Sequence, residues 1–121
     1  MSDNKQYVTQ NQENGTVMIS EEVLAAIITR AASEVEGVVS LASKASSDIL
    51  DVVGKKNWSK GLRVVIGQDN EVYVDCNIIV SFGQSVVQVA AAVQEAVSGA
   101  LESMTGITVS AVNVNVCGIA K

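Results

Sequence analysis

Val72-Tyr73-Val74-Asp75-Cys76-Asn77-Ile78-Ile79-Val80-Ser81 is the stretch that decides the fold. Side chains alternate across a strand with a period of two. Val72, Val74, Cys76, Ile78 and Val80 therefore share one face. Tyr73, Asp75, Asn77 and Ser81 fall mainly on the other. One dry and one wet face is the signature of a sheet covered on one side, as antiparallel sheets commonly are.

Just before this strand, Gly67-Gln68-Asp69-Asn70 turns the chain, and Leu62 to Ile66 reads as a preceding strand. Just after it, Ser85-Val86-Val87-Gln88 has the form of a capping box. Val86, Val89, Ala90, Val93, Val97, Ala100, Leu101 and Met104 then keep one helical stripe up to the stop signal at Gly106. Val112-Asn113-Val114-Asn115-Val116 closes the chain as a strand with valines toward the core and asparagines toward water.

The first half echoes this plan. Residues 1–14 are polar and read as a disordered arm. Gly15 to Ile19 is a short strand, and Ser20 is placed as an N-cap. Glu21 and Glu22 follow where a helix dipole favours anions. Val23, Leu24, Ile27, Ile28, Ala31 and Val35 fall at helical spacing, and Gly37 is placed as an αL cap. Val38, Val39 and Leu41 resume extended structure. Residues 43–61 carry loop signals, with room for one helical turn around Asp48 to Val53. The expected fold is α+β: a single two-layer domain over 15–121, with two amphipathic helices packed on a mixed or antiparallel sheet.

Composition narrows the chemistry. The chain has 121 residues, 48% hydrophobic and 17% charged, enough for a core without disulfides or metals. Its net charge of −5 argues against binding nucleic-acid backbones, which requires clustered cations, and against direct docking on anionic membranes. There is no histidine, the usual base and metal ligand near neutral pH. One Trp and one Phe offer little for stacking bases. Cys76 and Cys117 match no zinc or redox spacing and read as two reduced thiols of a cytosolic protein. The polar start carries no secretory signal, and no window reaches the roughly 18 apolar residues of a membrane span. The expected location is the cytoplasm, with any membrane link made through a partner.

No catalytic constellation stands out. Without imidazole, a nucleophile would need a pair such as Ser59 and Lys60, and nothing points to a buried lysine there. Glu21 and Glu22 are explained by the helix start. Glu34 and Glu36 sit near a helix end that prefers cations, an unfavourable and unexplained placement. Phe82-Gly83-Gln84-Ser85 is a strand–helix junction with one glycine, and helix capping already explains it. No catalytic residue, cofactor or metal site is expected.

Several segments taken together resemble a known family. Gly15-Thr16-Val17-Met18-Ile19-Ser20, Val23, Ile27 and Ala31, and Val35-Glu36-Gly37-Val38 are similar to the opening of the alkaline-shock and general-stress proteins of Gram-positive bacteria. Phe82-Gly83, Val93-Gln94, Val97, Met104-Thr105-Gly106 and Val109 to Val116 are similar to that family's closing segment. The resemblance covers residues 15–118, and its specificity lies in order and spacing. It implies a small cytoplasmic protein of the envelope stress response that self-associates and is held at the membrane by a separate anchor protein. It implies no catalytic residues. The basic loop before Gly61 is where this chain departs from the family, which varies that loop freely.

That loop is the candidate partner site. Lys44, Lys55, Lys56, Lys60 and Arg63 are five of the eight basic residues, against Asp48 and Asp51, and Trp58 is the single Trp. Lys55, Lys56, Trp58, Lys60 and Arg63 form the candidate contact set for an acidic protein surface. The competing reading folds Trp58 back as a lid on the core. Uncharged groups on the wet face (Tyr73, Asn77, Asn113, Asn115) and two edge strands, Gly15–Ile19 and the last one, offer a second contact surface and a route to a homo-oligomer. The expected function is a non-enzymatic envelope stress protein acting by self-association and partner binding. The alternatives are an RNA-binding module and a regulatory partner of a metabolic enzyme.

Overall fold

The computed structural model describes residues 7–41, 61–67 and 69–121. In chain order the elements are β1 (Tyr7–Gln12), β2 (Gly15–Ser20), α1 (Glu21–Ser33), β3 (Val38–Leu41), β4 (Leu62–Ile66), β5 (Val72–Ser81), α2 (Val86–Thr105) and β6 (Val109–Ala120). Strand β5 is the centre of the main sheet. Along one edge it pairs antiparallel with β4, from Leu62↔Cys76 to Ile66↔Val72. Further along the same strand it pairs antiparallel with β3, from Val38↔Val80 to Leu41↔Ile78. Its other edge pairs in parallel with β6, from Val72↔Val109 to Ser81↔Ala120. A parallel neighbour requires a crossover, and α2 supplies it. The sheet is mixed, and the fold is α+β in one small domain.

The alternation of β5 is realised as read. Val72, Val74, Cys76, Ile78 and Val80 are all fully buried. They meet Leu24 and Ile28 of α1 and Val93, Val97 and Leu101 of α2 in one core. Asn77 departs from the pattern: expected on a wet face, it is buried. The helical stripe of α2 holds at Val89, Val93, Val97 and Leu101, but Met104 at its end is largely exposed.

Local chemistry sets the helix ends. The Ser20 hydroxyl accepts from the Val23 amide at 3.3 Å. The Ser85 hydroxyl accepts from the Gln88 amide at 3.4 Å. Gly106 ends α2 at φ 80°, a left-handed cap that glycine adopts without strain. Helix α1 ends earlier than expected, with Glu34 as its C-cap. Gly37 has a different task. Its φ is +100°, and a Cβ there would meet Val89 Cγ2 at 2.7 Å, so the chain entering β3 can lie against α2 only without a side chain. The acid at the end of α1 is also explained: Arg30, one turn back, pairs with Glu34 at 2.9 Å. Both groups are exposed, so this pair contributes only a few tenths of a kcal/mol.

One expectation is overturned. Residues 7–12, placed in a disordered arm by their polarity, form β1, antiparallel to β2 from Tyr7↔Ser20 to Gln12↔Gly15. Among the described residues, strand structure is therefore present from Tyr7 on, ahead of Gly15. Three anchors explain it. Val8 is fully buried. The Asn70 side chain donates to Thr9 O at 3.0 Å and accepts from Thr9 N at 3.3 Å. Gln10 Nε2 donates to Thr105 O at 3.0 Å. Polar residues carry a strand when the surrounding fold supplies their partners. Residues 1–6 of the expected arm lie outside the described residues, as do residues 43–60 of the loop expected over 43–61, with its helical turn.

Candidate functional site

Of the five residues in the predicted contact set, the described structure contains one. Lys55, Lys56, Trp58 and Lys60 lie outside the described residues. Arg63 is a strand residue of β4, opposite Asp75 of β5. Its Nε and Nη2 donate to Asp75 Oδ2 at 3.1 and 2.8 Å. The second Asp75 oxygen accepts from Asn113 Nδ2 of β6 at 2.9 Å. One carboxylate thus ties three adjacent strands together on the sheet face away from the helices. Two positions along, Asn115 Nδ2 of β6 donates to Asn77 Oδ1 of β5 at 3.0 Å. The parallel register makes both rows, since Asp75 lies beside Asn113 and Asn77 beside Asn115.

This ladder joins the strands: both Asp75 oxygens accept hydrogen bonds from side chains of the neighbouring strands. The buried thiol of Cys76 is pushed up to about 12 by burial and then by the neighbouring Asp75, so it is no nucleophile near neutral pH. Cys117 is exposed on β6. Among the described residues no group of three or more His, Cys, Asp or Glu side chains is placed to hold a metal ion. A cleft of about 550 Å³ runs along α1 beside Leu62 of β4, past Glu22, Ala26, Thr29, Arg30 and Ser33. A groove of about 330 Å³ lies between α1 and α2, lined by Ile27, Ala31, Ala100 and Met104. At the start of α1, burial and then repulsion from Glu22 raise the Glu21 carboxyl above its ordinary value.

The remaining feature is the edge of the sheet. Strand β6 has 12 residues. Among the described residues it pairs with β5 alone. From Val109 to Ala120 it contains no Asp, Glu, Lys, Arg or Pro, the residues that usually protect an edge from pairing with other chains. Helix α2 braces it from above, Gln94 Nε2 donating to Val112 O at 3.0 Å. The asparagines expected to face water are already hydrogen-bonded to β5. That was invisible in the sequence, because it depends on the parallel register. The absence of charge over twelve positions was visible, and it is the signal that marks this strand.

Comparison with known proteins places the chain in a family. It is 35% identical over 105 residues to the protein YqhY of Bacillus subtilis (strain 168), covering 87% of this chain and 77% of that one. It is 34% identical over 111 residues to Spy1614 of Streptococcus pyogenes serotype M6, covering 90% and 91%. A further Bacillus subtilis protein, YloU, is 33% identical over 107 residues, covering 87% and 88%. Among solved structures, MamM-CTD H264A superposes with a TM-score of 0.50 at 21% identity, over 81% of this chain and 96% of that one, a likeness of fold. Residues 9–121 match the sequence model of the alkaline-shock family, described as having cell envelope-related function, and the chain belongs to that family.

Proposed function

We propose that this chain is a non-enzymatic, envelope-related stress protein that works by self-association and by binding other proteins. The observation that carries this reading is β6: a 12-residue edge strand with no charge and no proline. Natural proteins blunt such edges unless a partner covers them. Main-chain pairing at a sheet edge is a common mode of association. The family's cell envelope-related function supports the setting. We place the chain in the cytoplasm, reaching the envelope through an anchor protein. No helix among the described residues is long and apolar enough to cross a membrane. The ladder that occupies Arg63 and Asp75 agrees with a non-catalytic role. The basic stretch with Lys55, Lys56, Trp58 and Lys60 is the element we assign to a second, acidic protein partner.

The test is size-exclusion chromatography with light scattering over a dilution series. The wild type is expected to run above its 12.6 kDa chain mass and to dissociate on dilution. Two lysines on the edge, Cys117→Lys and Ile119→Lys, should give a folded monomer, since both residues are exposed. A wild type that stays monomeric at high concentration contradicts the proposal.

A further inference from the structure

We infer that two copies join through β6 in an antiparallel, two-fold pairing centred on Val114, in which Asn113 of each copy meets Asn115 of the other. The inference rests on the self-association proposed above and specifies its geometry.

The argument starts from register. Antiparallel pairing about a two-fold axis perpendicular to the sheet keeps both helix layers on one side and sets residues of the same face opposite each other. Every such register therefore matches odd with odd and even with even. The regular part of β6 runs between two register shifts against β5, one near Val109 and one between Val116 and Gly118. That run is Ala111 to Val116, and within it the alternating stretch Val112 to Val116 is centred on Val114. Centring there sets Val112 against Val116 twice and Val114 against itself on the core side. It sets Asn113 against Asn115 twice on the other side.

The asparagines are chemically ready for this. Asn113 uses one amide hydrogen on Asp75, which leaves its carbonyl oxygen to accept. Asn115 uses one amide hydrogen on Asn77, which leaves the second to donate. Donation from Asn115 of one copy to Asn113 of the other extends the row Arg63–Asp75–Asn113 without a break into Asn115–Asn77 of the second copy. Shifting the centre by one residue, to Asn115, sets Asn115 against itself and Asn113 against Cys117, which loses both complementary pairs. The hydrogen-bond pattern within one chain thus selects one register for two.

Charge exchange reads that register directly. In N113K/N115E each lysine faces a glutamate of the second copy under the proposed pairing. In N113K/N115K each lysine faces a lysine. The lysine placed at position 113 has Asp75 beside it in both variants; residue 115, two positions along on the same face, differs in sign between them, and the melts read what that does within one chain. Association is measured by light scattering over a dilution series, with circular dichroism melts to show that each variant is folded. The Lys/Glu variant should associate at least about tenfold more tightly than the Lys/Lys variant, the latter running as a monomer. Two folded, monomeric variants beside an associating wild type overturn the register, because a centre at Asn115 opposes like charges in both. Two variants that associate as the wild type does overturn the use of this edge. A wild type that never associates defeats the underlying proposal instead.

Discussion

Strands β5 and β6 lie side by side, are similar in length and are both rich in valine, yet they do opposite work. Strand β5 has neighbours on both edges, and five of its side chains are fully buried. Strand β6 has one neighbour among the described residues, and none of its side chains is fully buried. The interior strand carries a charge, Asp75, and the fold answers it with Arg63 and Asn113. The edge strand carries none. A charge in the middle of a sheet is tolerated because partners can be built around it, while a charge at an edge would repel a copy of itself. The difference teaches that β5 specifies the fold, while β6, among the described residues, leaves one edge unpaired.

The largest contrast should appear in core truncation. Ile78→Ala in β5 removes a fully buried side chain and should lower stability by about 2–5 kcal/mol. Val114→Ala in β6, only half-buried, should lose less than about 1.5 kcal/mol in the dissociated chain, and urea unfolding of both at low concentration checks the order. Equal losses would remove the distinction between the two strands.

Polar truncation should separate the two rows of the ladder by a smaller margin. Asn115→Ala leaves the Oδ1 of buried Asn77 without its donor and should lower stability by about 1–3 kcal/mol. Asn113→Ala leaves Asp75 held by Arg63 and should lose about 1 kcal/mol or less. Equilibrium unfolding distinguishes them, and a reversal of this order would show that the Arg63–Asp75 pair depends on β6.

The two cysteines sharpen the comparison by titration. Cys76 has its thiol pushed up to about 12, from an ordinary value of 9.0. The unfolded chain therefore loses this proton first. Stability should fall as pH rises from 9.0 toward about 12, by up to about 1.4 kcal/mol per pH unit from this group. Cys76→Ala should remove that slope at a small packing loss. Near neutral pH a thiol reagent should label one cysteine per native chain, Cys117, and both after unfolding. Rapid labelling of two would contradict the buried environment of Cys76.

Much of this fold was legible in the chain. The period-two run of β5, the serine caps at Ser20 and Ser85, and the stop at Gly106 are local signals, and each marks a real boundary. What was not legible depends on distant partners. Strand β1 was hidden because its anchors, Asn70 and Thr105, are far away in sequence. Asn77 reads as wet until β6 is known to lie beside it. Gly37 reads as a helix cap until Val89 is found against it. For the site, Arg63 reads as a basic contact residue at the start of the strand Leu62 to Ile66 until the register with β5 sets it against Asp75. The uncharged edge was in plain view, although its meaning required knowing which strand is outermost.

Residue-resolved hydrogen exchange at two protein concentrations tests the central claim most directly. Amides of β5 should be protected equally at both. Amides along Val112 to Val116 should gain protection as concentration rises, because a second copy then covers the edge. Exchange from β6 that is the same at both concentrations, in material that light scattering shows to be associated at the higher one, would contradict it.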